Sequence, residues 1–193
     1  MKKILIGTHN KGKFREIAFL LGKKVIKISP KSLKIKSPRE TGKTFLQNSK
    51  LKVEYFSNFT NLPIISDDSG LSINALNGRP GIYSARWAKK YGGFKKAMQV
   101  ILKKMANKKN RKAVFVCSLS FKHPRKKRIF TAVGKAKGKI TKKIVGNKGF
   151  GYDPIFIQDF KSLTYGQMSR KKKMRLDHRF IAFQKLKKLV KIL

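Results

Sequence analysis

Short apolar runs closed by glycine or polar turns alternate along this chain with segments of helical period. That alternation confines the chain to the α/β class. Residues 3–7 read as a short buried strand stopped by Gly7-Thr8-His9-Asn10. Over 11–21 the apolar positions Phe14, Ile17, Ala18 and Leu21 recur at helical spacing, and Gly22 closes the helix. Residues 25–28 alternate as a second strand. Glu40 to Gly42 then leads into a helix to about residue 59, with Phe45, Leu51 and Tyr55 as inward candidates. Residues 62–66 form a strand that ends on Asp67-Asp68-Ser69-Gly70, and 78–86, with Gly, Pro and Gly, read as a loop.

Residues 91–105 are expected to be helical, with Phe94, Ala97, Met98, Ile101, Leu102 and Met105 on one face. Two β segments, 113–121 and 128–140, flank Pro124-Arg125-Lys126-Lys127 as a hairpin turn. Gly149-Phe150-Gly151-Tyr152-Asp153-Pro154 is a second glycine-rich loop before a short strand at 155–157. The tail from about 177 to 193 reads as an amphipathic helix through Phe180, Phe183, Leu186, Leu189, Val190 and Leu193. No internal repeat or linker interrupts the 193 residues, so one domain around a mixed sheet is expected.

Composition removes several classes. No apolar run approaches bilayer length, and the stretch after Met1-Lys2-Lys3 stops at Gly7, too soon for a signal peptide. The single Cys117 supports neither an intrachain disulfide framework nor a zinc cluster. A cytoplasmic protein without a membrane partner is the expectation. With 49 Lys+Arg against 8 Asp+Glu, the formal charge is +41. Such an excess attracts phosphates of any kind. Its even spread fits a compositional bias toward Lys, Ile, Asn and Phe better than a dedicated nucleic-acid surface, so no specific nucleic-acid partner is expected.

Against that background the acids Glu16, Glu40, Glu54, Asp67, Asp68, Asp153, Asp159 and Asp177 attract notice. Adjacent Asp67 and Asp68 at the carboxyl end of a buried strand repel unless a cation or proton neutralises them, and magnesium with its hard oxygen ligands suits them. The other reading is a surface turn with Asp67 as a cap. Gly7 to Phe14 opens a helix where backbone N–H groups favour an anion, with Lys11 and Lys13 adding charge. Its spacing approaches a Walker A loop, but Phe14 stands where a hydroxyl must meet magnesium, and Gly42-Lys43-Thr44 lacks the leading glycine. Phe150 and Tyr152 offer faces for a base and Asp153 an acceptor for a ring N–H, or they form a tight turn with core aromatics. Lys173, His178 and Arg179 complete the set, or they belong to a solvated basic face.

In register, these segments resemble the non-canonical purine nucleoside triphosphate pyrophosphatases, also called inosine triphosphate pyrophosphatases or XTP/dITP diphosphatases. The resemblance rests on Thr8-His9-Asn10-Lys11-Gly12-Lys13 with Glu16, Glu40-Thr41-Gly42-Lys43-Thr44-Phe45 with Asn48 and Lys52, and Ser66 to Leu71. It continues through Gly78-Arg79-Pro80-Gly81-Ile82-Tyr83-Ser84-Ala85-Arg86, Gly149 to Phe156, and Lys173 with His178-Arg179. It implies an elongated, two-lobed α/β fold around a central mixed sheet, a cleft between lobes, and a homodimer. The implied reaction is magnesium-assisted hydrolysis of ITP, dITP or XTP to the monophosphate and pyrophosphate, cleansing the nucleotide pool.

By the same resemblance Thr8, His9, Asn10, Lys11, Gly12 and Lys13 hold phosphates, and Asp68 is the general base. Glu40 and Asp68 ligate magnesium with Asp67 in support, and Ser69 touches substrate. Phe150, Gly151, Tyr152, Asp153, Lys173, His178 and Arg179 form the nucleotide and base pocket, with donors such as Arg179 facing the purine O6. Gln47, Met174, Asp177 and Phe180 depart from residues common in the family and bear on the shape of that pocket. Two other classes stand beside this one: a basic nucleic-acid-binding protein, for which an acidic pair has no use, and a P-loop NTPase, which Phe14 disfavours.

Overall fold

The structure, a computed structural model, describes residues 2–190. Among these, six strands form one mixed sheet in the order β2-β1-β3-β4-β5-β6. They are β1 Lys2–Ile6, β2 Val25–Ile28, β3 Ile64–Ile73, β4 Lys112–Lys122, β5 Ile129–Ile140 and β6 Phe156–Gln158. The helices are α1 Lys11–Leu20, α2 Phe45–Ser57, α3 Ser84–Lys90, α4 Phe94–Lys104, α5 Arg170–Lys173 and α6 His178–Leu189. β1 runs parallel to β2 and β3, while β5 and β6 are antiparallel, so the α/β class with a mixed sheet holds. No helix among the described residues is long and apolar enough to cross a membrane.

The described residues fall into two compact units. The first draws on residues 2–68, 117–134 and 178–190, the second on Ser69–Val116 and Lys135–Asp177. In the first, successive residues of β1 face opposite ways, as the two-residue period requires. Ile4 and Ile6 join Ile17, Ile65, Cys117, Leu119, Phe121, Phe183 and Leu186 in one core cluster. Leu5 joins Val53, Phe56 and Ile64 in another. A strand apolar on both faces is one buried on both faces.

α6 reaches this unit only because β5 offers no side chain at Gly134. A Cβ there would lie 2.1 Å from the His178 carbonyl oxygen and 2.4 Å from the Ala182 nitrogen, both backbone atoms that cannot swing aside. Gly134→Ala is therefore expected to destabilise by about 1–3 kcal/mol, as overpacking does, with α6 displaced. Urea denaturation checks it: an unchanged midpoint would mean that α6 does not seat this closely.

In the second unit, Leu71 and Ile73 of β3 pack with Ala97, Met98, Ile101 and Met105, Phe115, Phe156 and Tyr165. The helical face expected over 91–105 is present, but Gly92 and Gly93, at φ of +74° and +121°, divide α3 from α4. The segment 78–86, read as a loop, passes through a 3-10 turn at Gly81–Tyr83 into α3.

Three further expectations are corrected. β3 does not end before the acidic pair but runs through it to Ile73. Charged partners neutralise the carboxylates, and Leu71 and Ile73 go on packing inward beyond them. α2 buries Asn48, Ser49, Lys52, Val53 and Phe56, leaving Phe45, Leu51 and Tyr55 half-buried, because its inner face is largely polar and satisfied by side-chain bonds. In the tail, Phe183, Leu186 and Val190 are buried while Leu189 is 53% exposed. Leu193 lies outside the described residues.

Candidate active site

The turn after β1 is built by close approach. A Cβ on Gly7 would fall 2.1 Å from Ser66 Oγ and 2.7 Å from the Phe56 ring, so only glycine passes. Thr8 is buried, and its Oγ1 accepts the Asn10 N–H at 3.2 Å. Asn10 caps α1, its side-chain oxygen accepting the Lys13 N–H at 3.0 Å. His9 is exposed, with Nε2 3.0 Å from the Ile35 carbonyl oxygen. Lys11 is exposed and Gly12 half-buried in the first turn of α1. The cap turns Lys13 toward the acidic pair, its Nζ 3.4 Å from Asp67 Oδ2 and 3.9 Å from Asp68 Oδ1.

The two aspartates differ in their surroundings. Asp67 is wholly buried and takes a hydrogen bond from Arg179 Nη2 at 3.0 Å, while Arg179 Nη1 bonds Glu16. Burial alone would raise the Asp67 pKa, but Lys13, Arg179 and Lys52 outweigh it and hold the carboxyl well below its usual range. Asp68 accepts from Asn48 Nδ2 at 3.0 Å and lies 3.8 Å from Lys52 Nζ. Burial pushes its carboxyl up; Lys13 and Lys52 oppose the rise, Glu40 adds to it, and Asn48 opposes it. The result is one firmly ionised carboxylate beside one with greater affinity for a proton, the arrangement that divides acid–base labour.

α2 supplies the rest. Thr44 caps it by accepting the Gln47 N–H at 3.1 Å, and Asn48 and Lys52, four apart, share a face. Lys52 Nζ sits 2.7 Å from Glu40 Oε1. Burial would lower the Lys52 pKa, but Asp68, Asp67 and Glu40 together raise it, so the ammonium is kept charged. Asp67 is turned toward Arg179 and Lys13, whereas Glu40 and Asp68 share Lys52. Among the described residues no group of three or more His, Cys, Asp or Glu side chains gathers as a metal cage.

The glycine-rich loop is a feature of the second unit. Gly149 has φ +76°, and a Cβ there would lie 2.1 Å from Asp153 Oδ2. That oxygen accepts the Phe150 N–H at 2.8 Å and pairs with Lys173 Nζ at 2.7 Å. Lys173 also lies 4.7 Å from the centroid of the half-buried Phe150 ring and 3.9 Å from Asp177 Oδ2. Gly151 is half-buried at φ +67°. Tyr152 is buried with its ring edge-on to Phe94, and its hydroxyl donates to the Ser84 carbonyl oxygen at 2.9 Å. Its face is thus spent on the core. Ser69 is half-buried within β3, and His178, first residue of α6 in the first unit, is buried.

Lys13, Asp67, Asp68 and Arg179 therefore meet in the first unit, with Glu40 joined through Lys52. Phe150, Asp153 and Lys173 meet in the second. Roles for Glu16, Asn48 and Lys52 do not follow from the sequence, although Glu16 is one of only eight acids and Asn48 and Lys52 stand one helical turn apart.

A family model described as the Ham1 family matches residues 4–189. This chain belongs to the Ham1 family. It is 39% identical over 191 residues to a dITP/XTP pyrophosphatase of Dictyoglomus thermophilum, covering 95% of this chain and 92% of that one. It is 40% identical over 187 residues to a dITP/XTP pyrophosphatase of Rhodospirillum centenum, with coverage of 95% and 92%. Among solved structures, the Ham1 protein of Staphylococcus aureus superposes with a TM-score of 0.86 at 34% identity over 98% of each chain.

Proposed function

We propose that this Ham1-family chain is a nucleoside triphosphate pyrophosphohydrolase that converts dITP, XTP and ITP to their monophosphates and pyrophosphate, removing deaminated purines from the nucleotide pool. The observation that carries the reading is the acidic pair on β3, one carboxylate clamped by Arg179 and the other proton-receptive beside Lys13 and Lys52. Whole-length relatives named for this reaction support it.

In the mechanism, Asp68 accepts a proton from a water molecule as the water oxygen bonds to the α-phosphorus. The bond from that phosphorus to the bridging oxygen breaks, and pyrophosphate leaves with the electron pair. Lys13 and Lys52 offset charge on the phosphates, and the turn from Thr8 to Lys13 orients them. Two hard carboxylates, Glu40 and Asp68, already share one cation in the Lys52 ammonium, and magnesium is characteristically held by one or two carboxylates plus substrate phosphates. The pair fits that ion, with Asp67 in support through its place beside Asp68. When bound, magnesium supplies charge neutralisation on the departing pyrophosphate.

Ser69, Phe150 to Asp153, Lys173, His178 and Arg179 are assigned to the nucleotide base. Phe150 offers the accessible ring, while Tyr152 shapes the loop from within. A base contact by Arg179 would come from a guanidinium that already gives Nη1 to Glu16 and Nη2 to Asp67, out of its five N–H donors. Asp177 and Met174, both buried, adjust the Lys173 side of the pocket. The chain works as one catalytic domain, as a homodimer in the cytoplasm, without a specific nucleic-acid or membrane partner.

The test is incubation with ITP, dITP, XTP, GTP and ATP plus magnesium, measuring pyrophosphate and orthophosphate. Pyrophosphate should be the first product, with 6-oxo purines preferred over ATP by up to about 10⁴-fold if the base is read by hydrogen bonds. Orthophosphate as first product, or equal rates on ATP and ITP, would refute the reading.

A further inference from the structure

Asn48 takes no part in the chemistry just described, yet it is wholly buried and both ends of its amide are used. Nδ2 donates to Asp68 Oδ2 at 3.0 Å, and Oδ1 accepts the Gly42 N–H at 2.8 Å. The partners leave no choice of orientation, because an ionised carboxylate only accepts and a backbone N–H only donates. The contact is close: a Cβ on Gly42 would lie 2.6 Å from Asn48 Oδ1, so the loop that follows Glu40 is packed against this amide. α2 is seated independently of the acids, since Ser49 Oγ lies 2.9 Å from Ser118 Oγ and 2.8 Å from Ser120 Oγ.

We propose that Asn48 is a positioning residue for hydrolysis, holding Asp68 by Oδ2 so that Oδ1 faces Lys13, Lys52 and the attacking water, and tying Asp68 to the Glu40 loop. The inference rests on the pyrophosphatase reading. Both lysines approach Asp68 through Oδ1, at 3.9 Å and 3.8 Å, while the amide occupies Oδ2. Without the amide, one restraint on which oxygen the carboxylate presents is lost, and the loop loses one of its ties to Asp68. A misplacement of about 1 Å at a reacting group costs on the order of 10²-fold in rate.

The experiment compares wild type with Asn48→Ala, Asn48→Asp and Ser49→Ala. It reads kcat and KM for ITP with magnesium, the melting temperature, and inosine monophosphate binding by calorimetry without magnesium. Asn48→Ala should lose on the order of 10²-fold in kcat with KM and monophosphate binding little changed. Asn48→Asp keeps the size and the Gly42 bond but sets an anion against Asp68, so its kcat should fall further still. A role in packing alone predicts the opposite order, because Asp fills the space that Ala leaves. Ser49→Ala, equally buried on the same helix, should lower the melting temperature and leave kcat unchanged. An Asn48→Asp variant more active than Asn48→Ala, or a Ser49→Ala variant that loses kcat equally, would overturn the proposal. An inactive wild type would instead overturn the pyrophosphatase reading, whereas an active wild type beside an equally active Asn48→Ala would overturn only the role of Asn48.

Discussion

Asp68→Asn should give a folded protein whose turnover of ITP falls by about 10²–10⁴-fold, the usual worth of a general base. Asparagine keeps the shape and can still accept from Asn48 Nδ2, but it cannot take a proton from water. The effect on stability is of the other kind. The native Asp68 pKa is raised above the ordinary carboxylate value, chiefly by burial. The native state therefore binds this proton more readily than the unfolded chain. That contribution to stability is fully present below the unfolded pKa and is lost as pH rises through the native one. At neutral pH the ionised side chain is thus a cost even with Lys13 and Lys52 beside it, and the neutral amide removes that cost. The melting temperature of the variant should therefore be unchanged or slightly higher. Pyrophosphate release and thermal denaturation on the same sample check both halves. Retained turnover would remove Asp68 from the role of base, and a collapsed fold would show that its charge is structural.

That separation of chemistry from folding explains what could be read in the sequence. β1, α1 and the apolar face of α4 follow from local periodicity, and the structure carries them. β3 is harder, because Asp67 and Asp68 resemble a turn until their partners are known. Those partners are remote in the chain: Asn48 is 20 residues from Asp68, and Arg179 is 112 from Asp67 and 163 from Glu16. The inner face of α2 is hidden from the sequence for the same reason. Asn48, Ser49 and Lys52 score as solvent-facing by composition, and only pairing with Asp68, Ser118, Ser120 and Glu40 makes their burial tolerable. Arg179 shows the limit most sharply: as a cation near the tail of a highly basic chain it suggests a solvated face, yet it is 1% exposed.

Arg179→Leu should cost about 3–5 kcal/mol at neutral pH, because removing one member of a buried ion network strands the others. Glu16 and Asp67 would remain buried, with Lys13 close to Asp67. Against a typical stability of about 5–15 kcal/mol this is a large share. Lysine should rescue only part of the loss, since one ammonium cannot reproduce a guanidinium whose Nη1 meets Glu16 and whose Nη2 meets Asp67. The pH dependence separates lost charge from lost packing. In the native chain the Asp67 pKa is depressed, so its stabilising contribution is present above the unfolded value of 3.8 and is lost as pH falls through the native one. In the leucine variant the largest opposing influence, burial, gains ground and the native pKa rises. Acid then protonates Asp67 in the folded variant and relieves it, while the same acid begins to weaken the wild type. The stability gap measured by urea denaturation should therefore narrow from pH 7 toward about pH 4. A gap that stays constant across that range would mean that Arg179 acts through its bulk, and that the clamp on Asp67 is not electrostatic.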